Sequence, residues 1–137
     1  MVVSECVEKR YVAFEDEHRE RGGSGKVASE RSPDRQAGGK TSALTFDELV
    51  WAVKRSRTSE DTIASGKAFL NMPRLRLADV DGNILARALA LMRKYRLDPR
   101  DSIHAASALT EGAELIISTD KHFDKIREIR RRGISGK

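Results

Sequence analysis

From Thr41 to Arg132 nearly every segment carries a legible boundary, and the segments bounded in this way alternate between helical and extended types. LTFDELVWAVKRS opens a helix with Thr45 placed as N-cap, Glu48 at N3 and Leu44 with Leu49 at staple positions. Ser59 can cap a second helix over about 60–70, with Ile63 and Leu70 facing inward, and Pro73 stops it. Leu75 and Leu77 then alternate as in a short strand. Residues 83–96 place Ile84, Leu85, Ala88, Leu89, Met92 and Tyr95 on one helical stripe. LDPRDSIHAASALTEG begins with Asp98 as N-cap and Pro99 at N1, runs on Ile103, Ala106 and Leu109, and stops at Gly112. Leu115, Ile116 and Ile117 form a continuous apolar run, as expected for a strand covered on both faces. KHFDKIREIRRRG places Phe123, Ile126 and Ile129 at helical spacing. Such an order predicts an α/β fold, an open, mainly parallel sheet flanked by helices.

The first forty residues read differently. Residues 15–42 hold only Val27, Ala28 and Ala37 as apolar side chains, too few to offset chain entropy, which predicts a linker or disordered stretch. GGSGK within it is not a nucleotide-binding loop: Glu20 stands where the first Gly is required and Val27 where Ser or Thr is required. Tyr11 to Phe14 can form a short strand. The domain reading is therefore an atypical, poorly structured segment over 1–40 and a folded domain over 41–137.

Composition narrows the function. One cysteine, Cys6, cannot build a disulfide framework, and His18, His104 and His122 lack zinc-ligand spacing. There is no apolar run long enough to span a membrane, so the expectation is a cytoplasmic protein with no membrane partner. The formal charge of +5 sits wholly in residues 121–137, where seven basic residues face Asp124 and Glu128, while the remaining 19 basic and 19 acidic residues cancel. A cluster of this kind can meet nucleic acid phosphates, and it can equally be a solvated basic end.

In an open parallel sheet the carboxyl ends of the strands and the N-termini of the following helices share one rim, where ligands bind. Glu48, Asp101 and Asp120 are all expected there. Each also has a local role to play: Glu48 as a capping-box residue, Asp101 at N3 behind Asp98, Asp120 as cap of the segment at Lys121. Together, ionised carboxylates repel one another unless a cation joins them, and a hard divalent ion suits oxygen ligands. His104 reads as a packed or orienting histidine, and Trp51 and Phe69 as core.

SALTFDELVWAV, LDPRDSIHAASAL and ELIISTDKHFD resemble, in this order, the successive motifs of PIN domains, particularly VapC-like toxins, over about residues 41–130. The resemblance implies a metal-dependent endoribonuclease that hydrolyses phosphodiesters. By motif it assigns Glu48, Asp101, Asp120 and Asp124 to a Mg²⁺ (or Mn²⁺) site, the first three as catalytic acids, with Ser118 and Thr119 as hydrogen-bonding neighbours. It implies an RNA substrate, a small antitoxin partner and a homodimer. The departure is at the start, where the family has a central apolar strand ending in an Asp. Glu15 and Asp16 after YVAF are the nearest substitutes. The expectation is thus a first central strand that is missing or atypical, an aberrant or truncated N-terminus such as a shifted reading frame produces, and impaired activity. The alternative is a non-catalytic PIN-like module that binds RNA or protein.

Overall fold

In the computed structural model the described residues are 38–133, together with the backbone of 10–12. Among the described residues, five strands and four helices follow one another as β1 (Arg10–Val12), β2 (Gly39–Ser42), α1 (Leu44–Lys54), α2 (Ser59–Leu70), β3 (Leu75–Ala78), α3 (Gly82–Tyr95), α4 (Pro99–Thr110), β4 (Leu115–Ile117) and β5 (Arg130–Arg132), with a 3₁₀ turn at Lys121–Lys125 before β5. The strands form one sheet in the order β3-β2-β1-β4-β5, and each of the four pairings is parallel. The α/β expectation therefore holds.

At the centre lies β1, so the first central strand is present rather than missing, with Tyr11 level with Lys40 on one side and Ile116 on the other. The expected linker over 15–42 is corrected at its end, because Gly39–Ser42 is strand β2. Its side chains are polar, yet Thr41 and Ser42 are fully buried. The backbone finds ladder partners on both sides, which satisfies groups that burial would otherwise leave costly. Residues 1–9 and 13–37 lie outside the described residues, and with them Glu15, Asp16 and most of the proposed altered start.

Several local expectations are replaced by tertiary ones. Helix α1 begins one residue before the proposed cap: Ala43 is the N-cap, with no side-chain bond, and the Thr45–Glu48 capping box is not made. In α2 the cap is Thr58 rather than Ser59, in a complete box with Asp61. Thr58→Ala should cost about 1 kcal/mol, read as a lower urea midpoint with unchanged m-value; no change in midpoint would mean that packing alone fixes this end. Gly66 lets α2 approach α1, since a Cβ there would lie 3.2 Å from the Phe46 ring. Ile63 and Leu70, expected inward, are exposed, as is Trp51, whereas Phe69 is buried as expected.

The main core joins α3, α4 and β4. Ile84, Ala88 and Leu91 of α3 meet Ala105, Ala106 and Ala108 of α4, Ile116 of β4, and Phe123, Ile126 and Ile129. Asp81 caps α3 by accepting the Ile84 N–H. The buried stripe is narrower than expected: Leu85 and Leu89 are 45% and 66% exposed. Helix α4 is instead buried almost all round, and small Ala and Ser side chains let it sit between α3 and the sheet. It ends at Gly112, whose φ of 67° is the left-handed conformation that Gly adopts without steric cost.

The expected last helix is corrected. Phe123, Ile126 and Ile129 are buried, but on the 3₁₀ turn and the extended approach to β5, not on an α-helix. Glu128 ties this approach to α3 by accepting hydrogen bonds from Lys94 and Tyr95. These donors, Lys94 first, pull the Glu128 carboxyl down to about 2 from its ordinary 4.5. A depressed carboxylate stabilises the fold above its unfolded pKa and loses that contribution as pH falls toward the folded value. The Tm difference between wild type and Glu128→Gln should therefore be flat above pH 4.5 and shrink between 4.5 and about 2. A difference that does not change across this window would contradict the assignment.

Candidate metal centre

The chain following β2, the first turn of α4 and the chain following β4 supply the candidate acids. Asp101 lies in the first turn of α4 and is buried. Asp120 follows β4 by way of Ser118, whose buried hydroxyl accepts the Asp120 N–H at 3.0 Å and so sets the turn. Asp120 then caps the 3₁₀ turn, accepting the His122 N–H at 2.7 Å. The local capping role foreseen for Asp120 is thus real, and it coexists with a place in a larger group. Ligand-capable atoms of Asp101, Asp120 and His122 all lie within 4.8 Å of one another. Two carboxylates with an imidazole are donors that divalent cations of the Mg²⁺, Mn²⁺ or Zn²⁺ size accept, so this set fits a metal.

Glu48 and Asp124 are held differently. Because α1 starts early, Glu48 is past the first turn and turns toward α4, where both its oxygens meet His104 Nε2, at 3.1 and 3.2 Å. Both side chains are buried. An ionised Glu48 offers acceptors alone, so Nε2 is the donor. His104 is the packed, orienting histidine that the sequence suggested. Thr45, freed from capping, pairs its hydroxyl with that of Thr41 at 2.7 Å, in a fully buried contact. The first-motif acid therefore sits in a buried polar layer between α1, α4 and β2.

Asp124 is exposed and receives two hydrogen bonds from Arg131 of β5, at 2.8 and 3.0 Å. The guanidinium holds the Asp124 carboxyl below its ordinary value, and Asp124 in turn raises Arg131. Arg131 also donates to the Ser118 carbonyl at 3.1 Å, so it fastens the edge strand to the turn that carries Asp120. Among the four acids proposed from sequence, the structure thus brings Asp101 and Asp120 together, gives Glu48 to His104, and gives Asp124 to Arg131. His122 is the member that the sequence reading missed as a site residue. Its signal was the Asp-x-His spacing directly after an apolar strand, which a search for paired zinc ligands passes over.

The comparisons agree with this architecture. The PIN domain family model matches residues 12–129. No curated protein matches the sequence. Among solved structures, VapBC2 from Rickettsia felis, bound to a DNA fragment from its promoter, is similar with a TM-score of 0.57 and 19% identity, over 70% of this chain and 74% of that one. DNA-bound VapBC from Salmonella typhimurium gives 0.56 and 24%, over 69% and 74%. VapBC-1 from nontypeable Haemophilus influenzae gives 0.57 and 17%, over 69% and 75%. With the parallel sheet in place, the motif acids located and the family match spanning most of the sequence, the chain belongs to the PIN domain family.

Proposed function

We propose that this chain is a divalent-metal-dependent endoribonuclease, the toxin of a toxin–antitoxin pair, acting in the cytoplasm. The observation that carries the reading is the meeting of Asp101 and Asp120, from α4 and from beyond β4, with His122. Asp101 and Asp120 would hold the cation, Mg²⁺ or Mn²⁺. The bound cation supplies Lewis-acid polarisation of the phosphodiester and a nucleophilic water at neutral pH. The residues of the chain do the rest. Ser118 fixes the backbone of Asp120, and His104 orients the Glu48 carboxylate. The exposed Lys121, Lys125 and Arg127 beyond the site attract the RNA backbone. The test is cleavage of a panel of structured and unstructured RNAs with and without Mg²⁺ or Mn²⁺. Metal-dependent cleavage lost in Asp101→Asn and Asp120→Asn supports the reading, and cleavage unchanged in both refutes it.

The structural neighbours are toxin–antitoxin complexes or carry VapBC names, which supports an antitoxin partner for this chain as well. The exposed Leu85 and Leu89, one turn apart on α3, support a homodimer. Leu85→Asp with Leu89→Asp should then halve the mass in sedimentation equilibrium; an unchanged mass removes α3 from the dimer.

A second reading is favoured by one observation. Glu48 and Asp124 already have side-chain partners in His104 and Arg131. A PIN-like fold whose Glu48 and Asp124 are committed to internal partners would serve as a non-catalytic RNA- or protein-binding module. Mn²⁺ titration separates the two, since that module needs no cation.

A further inference from the structure

We infer that His122 is itself a ligand of the cation held by Asp101 and Asp120, and that it biases this centre toward transition cations that accept nitrogen, over Mg²⁺. The inference rests on the nuclease reading for the existence of a cation and adds which residue selects it. His122 Nδ1 lies 2.7 Å from Asp120 Oδ1. Two atoms that both carry lone pairs come this close only when a positive species, a proton or a metal ion, lies between them. Adjacent ligands of an octahedral cation with bonds near 2.1 Å are separated by about 3 Å, so the same closeness suits a shared ion. His122 is placed by its own backbone, because its N–H donates to the same Oδ1. The imidazole is more than half exposed, and its ligand atom lies within 4.8 Å of those of Asp101 and Asp120.

The chemistry sets the direction of the bias. Mg²⁺ demands near-ideal octahedral oxygen coordination and gives up water reluctantly, whereas first-row transition ions take imidazole readily. An all-carboxylate site has no such preference built into its donor atoms. The rival role for His122 is a hydrogen bond that merely steadies Asp120. His122→Asn separates the two in the nitrogen signal, because the amide can still donate a hydrogen bond or offer its oxygen but its nitrogen has no lone pair for a metal.

The experiment uses the full chain and its His122→Asn variant, with folding checked by circular dichroism. Free Mn²⁺ is read by electron paramagnetic resonance, Mg²⁺ by competition in the same samples, and nitrogen ligation by ¹⁴N modulation in the electron spin echo of the Mn²⁺ complex. The expected result is ¹⁴N modulation in the wild type that disappears in the variant, about a tenfold loss of Mn²⁺ affinity and less than about a twofold change for Mg²⁺. A wild-type echo without nitrogen, or nitrogen modulation that survives in the variant, would overturn the role of His122 and leave the nuclease reading standing. A wild type that binds no Mn²⁺ would overturn both.

Discussion

Asp101→Asn should abolish divalent-cation binding and metal-dependent RNA cleavage together while leaving the fold intact. Asp101 is buried at the start of α4 and grouped with Asp120 and His122. The amide keeps the shape of the side chain but removes the negative charge that a cation requires. The loss should exceed the ~100-fold that removing an outer partner of a metal ligand typically costs. Isothermal titration with Mn²⁺ and cleavage of one RNA at saturating metal measure the two effects on the same preparation. Retained binding with lost cleavage would make Asp101 a substrate contact rather than a ligand. Retained cleavage would remove it from the site.

The second large effect is on stability. His104→Leu strands the Glu48 carboxylate in a buried layer without its donor, and leaving a buried acceptor unsatisfied typically costs about 1–3 kcal/mol, more where the group is charged. Both members are buried, with side chains 0% and 4% exposed, so solvent does little to screen the loss. Urea unfolding should show a drop of this size. Glu48→Gln keeps an oxygen for Nε2 to donate to and should cost far less. Glu48→Leu in the His104→Leu background should recover much of the stability, because no charge is then left unpaired. If the double variant is as unstable as His104→Leu alone, packing rather than the hydrogen-bonded pair sets the cost.

Much of the fold was legible because local signals and tertiary need coincided. Pro99 at N1, Gly112 at the stop, and Leu115 to Ile117 as a covered strand all read correctly, since each is fixed by chemistry within a few residues. The failures share a different cause. Thr45 and Glu48 satisfy the capping-box pattern, yet their side chains find better partners in Thr41 and in His104, the latter on a distant helix that no local pattern reveals. Phe123, Ile126 and Ile129 satisfy helical spacing, but a 3₁₀ turn followed by extended chain buries the same residues and lets Arg130–Arg132 pair with β4. Three consecutive arginines read equally as a phosphate-binding cluster or a solvated end. As an edge strand they are also reasonable, since charged side chains guard a sheet edge against further pairing. Gly39–Ser42 was hidden for a related reason: its burial rests on polar side chains, so apolar content gave no sign of it.

For the site, the positions of Asp101 and Asp120 followed from topology, because a parallel sheet gathers strand ends and helix starts on one rim. The engagement of Asp124 did not follow, because Arg131 reaches it only once β5 has paired. The charge of the C-terminal segment was visible; its division between Arg131, committed to Asp124 and Ser118, and the exposed Lys121, Lys125 and Arg127 was not.

The central claim is that Asp101 and Asp120 share one cation. It is tested most directly by anomalous scattering from a crystal of this chain grown with Mn²⁺. The account predicts a single strong peak within about 2.0–2.6 Å of a carboxylate oxygen from each of the two residues. A peak bound by neither, or a well-ordered crystal with the two carboxylates turned apart and no peak between them, would contradict it.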